Sequence, residues 1–147
     1  MFCQEDVDKS LDFSGGLLLT DVGEHLPQLM GDVGVIYGTT KGADGCPTAY
    51  YYGPKLSLEF NFNPNNFILA PKVSYEYHLV LIGARISIID FINFSQHDFR
   101  LTPEAGISLN GGMNLFYGYN IPITDNTLDY ITNHRLSLTI NINNVFD

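Results

Sequence analysis

Basic residues are scarce in this chain of 147 residues: seven Lys and Arg stand against sixteen Asp and Glu, for a formal net charge of −9. That balance excludes nucleic acid as a partner, because phosphate recognition needs a basic face. Charge of either sign is thin, at 16% of residues against roughly 25% in soluble domains. No apolar run approaches the ~18 residues of a membrane helix, so any membrane span has to be made of strands. The start, Met1-Phe-Cys-Gln-Glu-Asp6, has neither the basic n-region nor the apolar h-region of a secretion signal. It fits a cytosolic protein or one whose signal has been removed. EF-hand spacing, a Cys/His zinc pattern, a P-loop and a nucleotide fingerprint are all missing, and neither a metal nor a cofactor is expected. Tryptophan is absent as well, and there are only two cysteines. Cys3 and Cys46 admit two readings: unrelated small residues, or a disulfide formed in an oxidising compartment. Cys3 as a lipid anchor fits poorly, since Met-Phe before it does not match a lipobox.

What the chain does have is alternation. Pro54-Lys-Leu-Ser-Leu-Glu-Phe-Asn-Phe62 and Pro71-Lys-Val-Ser-Tyr-Glu-Tyr-His-Leu79 repeat one pattern, apolar or aromatic at every second position with Lys, Ser and Glu between. Period 2 is the mark of a strand with one apolar and one polar face. Asn63-Pro64-Asn65-Asn66 is turn chemistry, so the two strands are expected to form a hairpin. A turn centred on Asn65-Asn66 sets Lys55 opposite Glu76, Ser57 opposite Ser74 and Glu59 opposite Lys72. Charges matched in this way point to a confined interior.

Similar signals recur along the chain and predict about eight strands, roughly 10–20, 32–40, 49–62, 67–79, 80–92, 98–109, 113–123 and 134–143. No segment has convincing helical periodicity. The length suits one domain with a single closed sheet: a flexible acidic N-terminus over 1–9, then a barrel over 10–147.

Parity divides the strands into two faces. One is apolar and rich in aromatics, including Tyr50, Tyr52, Phe60, Phe62, Tyr75, Tyr77, Tyr117 and Tyr119. The other is mainly Gly, Ser and Thr. Among these small residues lie Lys55, Lys72, Arg85, Arg100 and Arg135, with Asp12, Glu59, Glu76 and Glu104. The remaining acids, among them Glu5, Asp6, Asp8, Asp21, Glu24, Asp32, Asp44, Asp125 and Asp129, are assigned to the tail and loops. There they keep the chain solvated or hold a divalent cation.

Two architectures share this alternation and are inside-out relative to each other. A soluble barrel buries the apolar face; a transmembrane barrel turns it to lipid. Three features favour the second: a polar face of small residues suited to a narrow lumen, its near neutrality in a strongly acidic chain, and aromatics near strand ends, where an interfacial girdle lies. The expected fold is all-β, an eight-stranded antiparallel up-and-down transmembrane β-barrel. With both termini on one side, Cys3 and Cys46 lie at the same end, which favours the disulfide.

Tyr117-Gly-Tyr-Asn-Ile-Pro122 and the closing His134-Arg-Leu-Ser-Leu-Thr-Ile-Asn-Ile142 resemble the small eight-stranded outer-membrane barrels of Gram-negative bacteria, the OmpA/OmpX/OmpW-like group, and in particular barrels from Bacteroidota. The end near Phe146 is similar to the C-terminal signal read by barrel-insertion machinery, with Asp147 departing from it. The resemblance implies an outer-membrane location, a cleaved signal peptide and a structural or accessory role. The expected partners are outer-membrane lipid and lipopolysaccharide, and other outer-membrane proteins if the barrel is a subunit of a complex. An eight-stranded lumen is just filled by side chains, so the paired charges read as a plug. Two alternatives stay open. Ser95-Gln-His-Asp98, with His25 and His134, supplies residue types for a lipid A-modifying enzyme, although near-adjacent residues rarely give triad geometry. A soluble lipocalin-like carrier would need the apolar face inside, and the Gly-x-Trp signature of that family is missing.

Overall fold

The computed structural model describes residues 6–20, 28–42, 50–61, 67–93, 96–109, 113–123 and 134–141. Cys3, Cys46, His25, Ser95, the turn at 63–66 and the C-terminal end from 142 lie outside the described residues. The strand segments are β1 (Asp6–Thr20), β2 (Gln28–Gly42), β3 (Tyr50–Asn61), β4 (Leu69–Leu79), β5 (Ile82–Asn93), β6 (Gln96–Ser108), β7 (Met113–Tyr119), β8 (Ile121–Pro122) and β9 (His134–Asn141). The two-residue β8 continues β7 past Asn120 and keeps the same register against β6, so the segments make eight strands. The first strand starts at Asp6, within the stretch expected to be a flexible tail, because β2 reaches Gly42 and pairs with it.

Every neighbouring pair is antiparallel, and β1 pairs with β9 to close the sheet. Partners taken strand by strand from Lys9 run through Thr39, Tyr52, Tyr77, Ala84, Ala105, Tyr117 and Leu136, and return to β1 at Leu19. The circuit therefore closes ten residues along β1 from where it began. With strands ~4.8 Å apart and a rise of ~3.3 Å per residue, that stagger tilts them by about 40° and gives a radius of roughly 8 Å. Such a cylinder has room for side chains and little else.

The polar face is the one inside. Lys55, Lys72, Arg85, Arg100, Arg135, Glu59, Glu76, Glu104 and Asp12 are all buried, while Leu56, Val73, Ile82, Ile88 and Ile107 on the other face are exposed. A carrier with an apolar interior is therefore not this barrel, and the lipocalin-like alternative falls. On β6 the outward positions from Leu109 to Phe99 are Leu, Ile, Ala, Pro, Leu and Phe. At the rise and tilt above, they form an apolar wall roughly 25 Å tall.

The expected hairpin forms with its register moved by two residues. Lys55 pairs with Ser74, Ser57 with Lys72 and Glu59 with Ala70. Asn61 explains part of the shift: its Oδ1 accepts from the Ile68 N–H at 2.8 Å, and its own N–H reaches the Ile68 carbonyl at 3.3 Å. That contact lengthens the ladder at the turn end and fixes which residues face each other. Ser74 then shares its hydroxyl bond with Ser87 of β5, 2.9 Å away, and not with Ser57.

Candidate functional site: the lumen

Inward side chains fill the barrel in three layers. At the end that carries the Val80–Leu81 turn, called here the near end, sit Tyr51, His78, Phe116 and Asp12. The imidazole of His78 stacks on Phe116, with centroids 5.7 Å apart and planes 11° from parallel. Its Nε2 lies 3.0 Å from Glu76 Oε2 and its Nδ1 2.9 Å from Ser108 Oγ. Room for this stack comes from Gly83, where a Cβ would stand 2.6 Å from His78 Nδ1 and 2.8 Å from the Phe116 ring. Tyr51 donates its hydroxyl to Asp12 at 3.0 Å, and the Asn141 amide bonds the same carboxylate at 3.3 Å.

The middle layer is a closed ring of charge. Lys55 pairs with Asp32 (4.0 Å) and Glu76 (3.5 Å), and Lys72 pairs with Asp32 (3.1 Å) and Glu59 (2.7 Å). Arg135 joins Glu59 to Glu104, the latter at 3.2 Å from its Nε, and Arg85 joins Glu104 (2.5 Å) to Glu76 (2.9 Å). Four cations and four carboxylates thus alternate around one loop, each touching two of the opposite sign. The Arg135 Nε contact is ionic only, since that N–H makes no aligned hydrogen bond. Ser137 is wedged into the ring, accepting from Arg85 at 3.1 Å and donating to Glu104 at 3.0 Å. A lone charge here would be strongly destabilising, and mutual pairing offsets that desolvation.

At the opposite, far end the lumen becomes apolar. Leu18, Met30, Ile68, Ala70, Ile89 and Phe91 form one buried cluster. Beside it Arg100 binds Asp98 at 2.8 Å, with its guanidinium 5.8 Å from the Phe91 ring. Thr102 donates to Asn120 at 2.8 Å.

The ring joins seven of the residues that parity sets on the polar face, Lys55, Glu59, Lys72, Glu76, Arg85, Glu104 and Arg135, to one that the parity reading leaves outside the lumen. Asp32, assigned to a loop, is 4% exposed and bridges Lys55 and Lys72. The pairings Lys55–Glu76 and Glu59–Lys72 survive the register shift because long side chains reach diagonal neighbours. Asp12 and Arg100 are in the lumen but bond to other groups than the ring. The far-end cluster was missed altogether. Its trace in the sequence is the pair of unbroken apolar runs Leu17-Leu18-Leu19 and Ile88-Ile89, where a strand is apolar on both faces.

Within Ser95-Gln-His-Asp98, the described side chains His97 and Asp98 do not share a face. Strand β6 begins at Gln96, so His97 and Asp98 project to opposite faces. Asp98 is buried against Arg100, while the exposed His97 sets its Nδ1 2.9 Å from Asp90 Oδ2. His134 lies elsewhere on the wall, in contact with Tyr117 and edge-on to Tyr119 at 5.1 Å.

Comparison with protein-family models, curated proteins and solved structures returns no match. The chain is an eight-stranded antiparallel β-barrel.

Proposed function

We propose that this protein is a membrane-spanning barrel of the bacterial outer membrane with a closed lumen, serving a structural or accessory role. The observation that carries the reading is the direction of the two faces. Large apolar side chains point out over a band roughly 25 Å tall, the height of the lipid-facing belt of such barrels, while the charged residues point in. Water on both sides would leave that wall unexplained, because exposed apolar patches of this extent mark contact with lipid or protein. The aromatics support the same orientation. Tyr37, Tyr52 and Tyr77 cluster on the wall toward the near end, and Phe99, Tyr119 and His134 toward the far end, as an interfacial girdle would be arranged. The wall offers contact to lipid, to lipopolysaccharide and to other membrane proteins.

A ring of matched ion pairs backed by an apolar cluster favours a plug over a pore. Refolding tests the membrane reading directly: the chain is expected to need detergent or lipid to remain folded and dispersed. A protein that refolds to a stable monomer in plain buffer overturns it. Mild-detergent co-purification separates the two forms of the role, a lone barrel from a subunit of a complex.

A further inference from the structure

Among the residues whose side chains are described, one carboxylate stands on the outward face. Asp90 lies between Ile88 and Ile92 on β5, directly opposite Phe99 of β6. Its side chain is 15% exposed, and Oδ1 is buried without a hydrogen-bond partner. Oδ2 is held by His97 Nδ1 at 2.9 Å, and the His97 ring stacks near Phe99 at 6.4 Å. On the other flank the β4–β5 ladder is interrupted opposite Asp90 and Phe91, where Pro71 has no N–H to give. Two residues along the tilted strand from Ile92, Asp90 sits roughly 5 Å inside the edge of the apolar wall. A charge at that depth is unfavourable unless it has a partner, and such residues mark functional positions.

We propose that Asp90 is a seat for the primary ammonium of a membrane-lipid headgroup, with His97 as the residue that positions it; this rests on the membrane-spanning reading. The terminal torsion of an Asp is broad and two-fold, so a small turn of the carboxylate presents Oδ1 to a cation arriving from the lipid side. An ammonium matches what the site lacks: it gives several N–H donors to an acceptor that has none. His97, whose side chain is 54% exposed, stands on the water side, where the phosphate accompanying that ammonium would lie. A quaternary headgroup supplies no N–H, and a glycerol headgroup supplies no cation. The seat therefore discriminates by headgroup, which a smooth apolar wall does not.

The test is native mass spectrometry of the full chain released from phosphatidylcholine vesicles doped with equal amounts of phosphatidylethanolamine and phosphatidylglycerol. Wild type is expected to retain ethanolamine lipid several-fold over the other two. Asp90→Asn should bring that ratio to about one, and His97→Gln should lower it in part. Equal retention in wild type overturns the inference, as does a preference that persists in Asp90→Asn. Should Asp90→Asn fail to fold, the wild-type comparison of ethanolamine with choline lipid still decides. A wild-type protein that does not enter the vesicles sinks the membrane reading, whereas one that enters without headgroup preference sinks only this seat.

Discussion

Glu59 has no exposed surface and serves two cations, Lys72 at 2.7 Å on one oxygen and Arg135, whose guanidinium spans both. Each of those cations has one further carboxylate, Asp32 for Lys72 and Glu104 for Arg135. Replacing Glu59 with Gln keeps the shape and removes the charge, so the ring is left with an excess cation in a closed space. Breaking a buried pair from one side costs about 3–5 kcal/mol, and Glu59→Gln is expected to lose that much stability in denaturant unfolding measured in micelles. A double-mutant cycle refines the point. Lys72→Met combined with Glu59→Leu should be milder than the two single losses added together, because the second change removes the charge the first one stranded. Simple additivity would mean that the two residues are not coupled, and the ring would then be an arrangement of contacts without shared energy. The same logic ranks the ring: Lys55 and Asp32, at 4.0 Å, should couple more weakly than Lys72 and Glu59.

Strands were the most legible elements in this sequence, for a physical reason. Period 2 is fixed by the backbone, and a barrel wall with unlike surroundings on its two sides imprints that period on every strand. All eight expected strands are present, with ends displaced by up to four residues. Register was harder. It depends on the turn and on single contacts such as Asn61 with Ile68, which composition does not weigh. A shift of two residues preserves which face each side chain takes, so Lys55, Glu59, Lys72 and Glu76 keep their face and their ion pairs while the residues directly opposite them on the ladder change. Asp32 shows the other limit: as the first residue of the expected strand 32–40 it counts among the acids outside the lumen, whereas β2 starts at Gln28 and carries it inside the barrel. Cross-linking reads the register directly. In a background with Cys3 and Cys46 replaced by Ser, the pair Leu56→Cys and Val73→Cys stands directly opposite and should oxidise readily. Leu56→Cys with Tyr75→Cys, which the turn centred on Asn65-Asn66 would set face to face, should cross-link poorly. The reverse order of yields would restore the expected register.

At the scale of the whole barrel, the plug we propose has two parts along the axis, charge in the middle and apolar packing at the far end. These seals differ in kind. The ring is held by directional pairs among long side chains, and the cluster of Leu18, Met30, Ile68, Ala70, Ile89 and Phe91 is held by shape. The ring is legible from sequence and the cluster is not, since a charged inward residue stands out against Gly and Ser while an apolar inward residue is lost among apolar neighbours. Seals in series imply that opening one leaves the barrel shut. Phe91→Ala is expected to cost about 3–5 kcal/mol, as for a large buried side chain truncated in a packed site, and yet to produce no discrete current steps in a planar bilayer. Removing the ring's bulk alone, with Arg135→Ala and Glu59→Ala together, should also leave conductance at baseline, because the apolar cluster still dries the far end. Steps should emerge only when both sets are combined in a barrel that remains folded. Conductance from Phe91→Ala alone would show that the charged ring does not close the lumen, and the ring would then line a pathway that the apolar cluster guards.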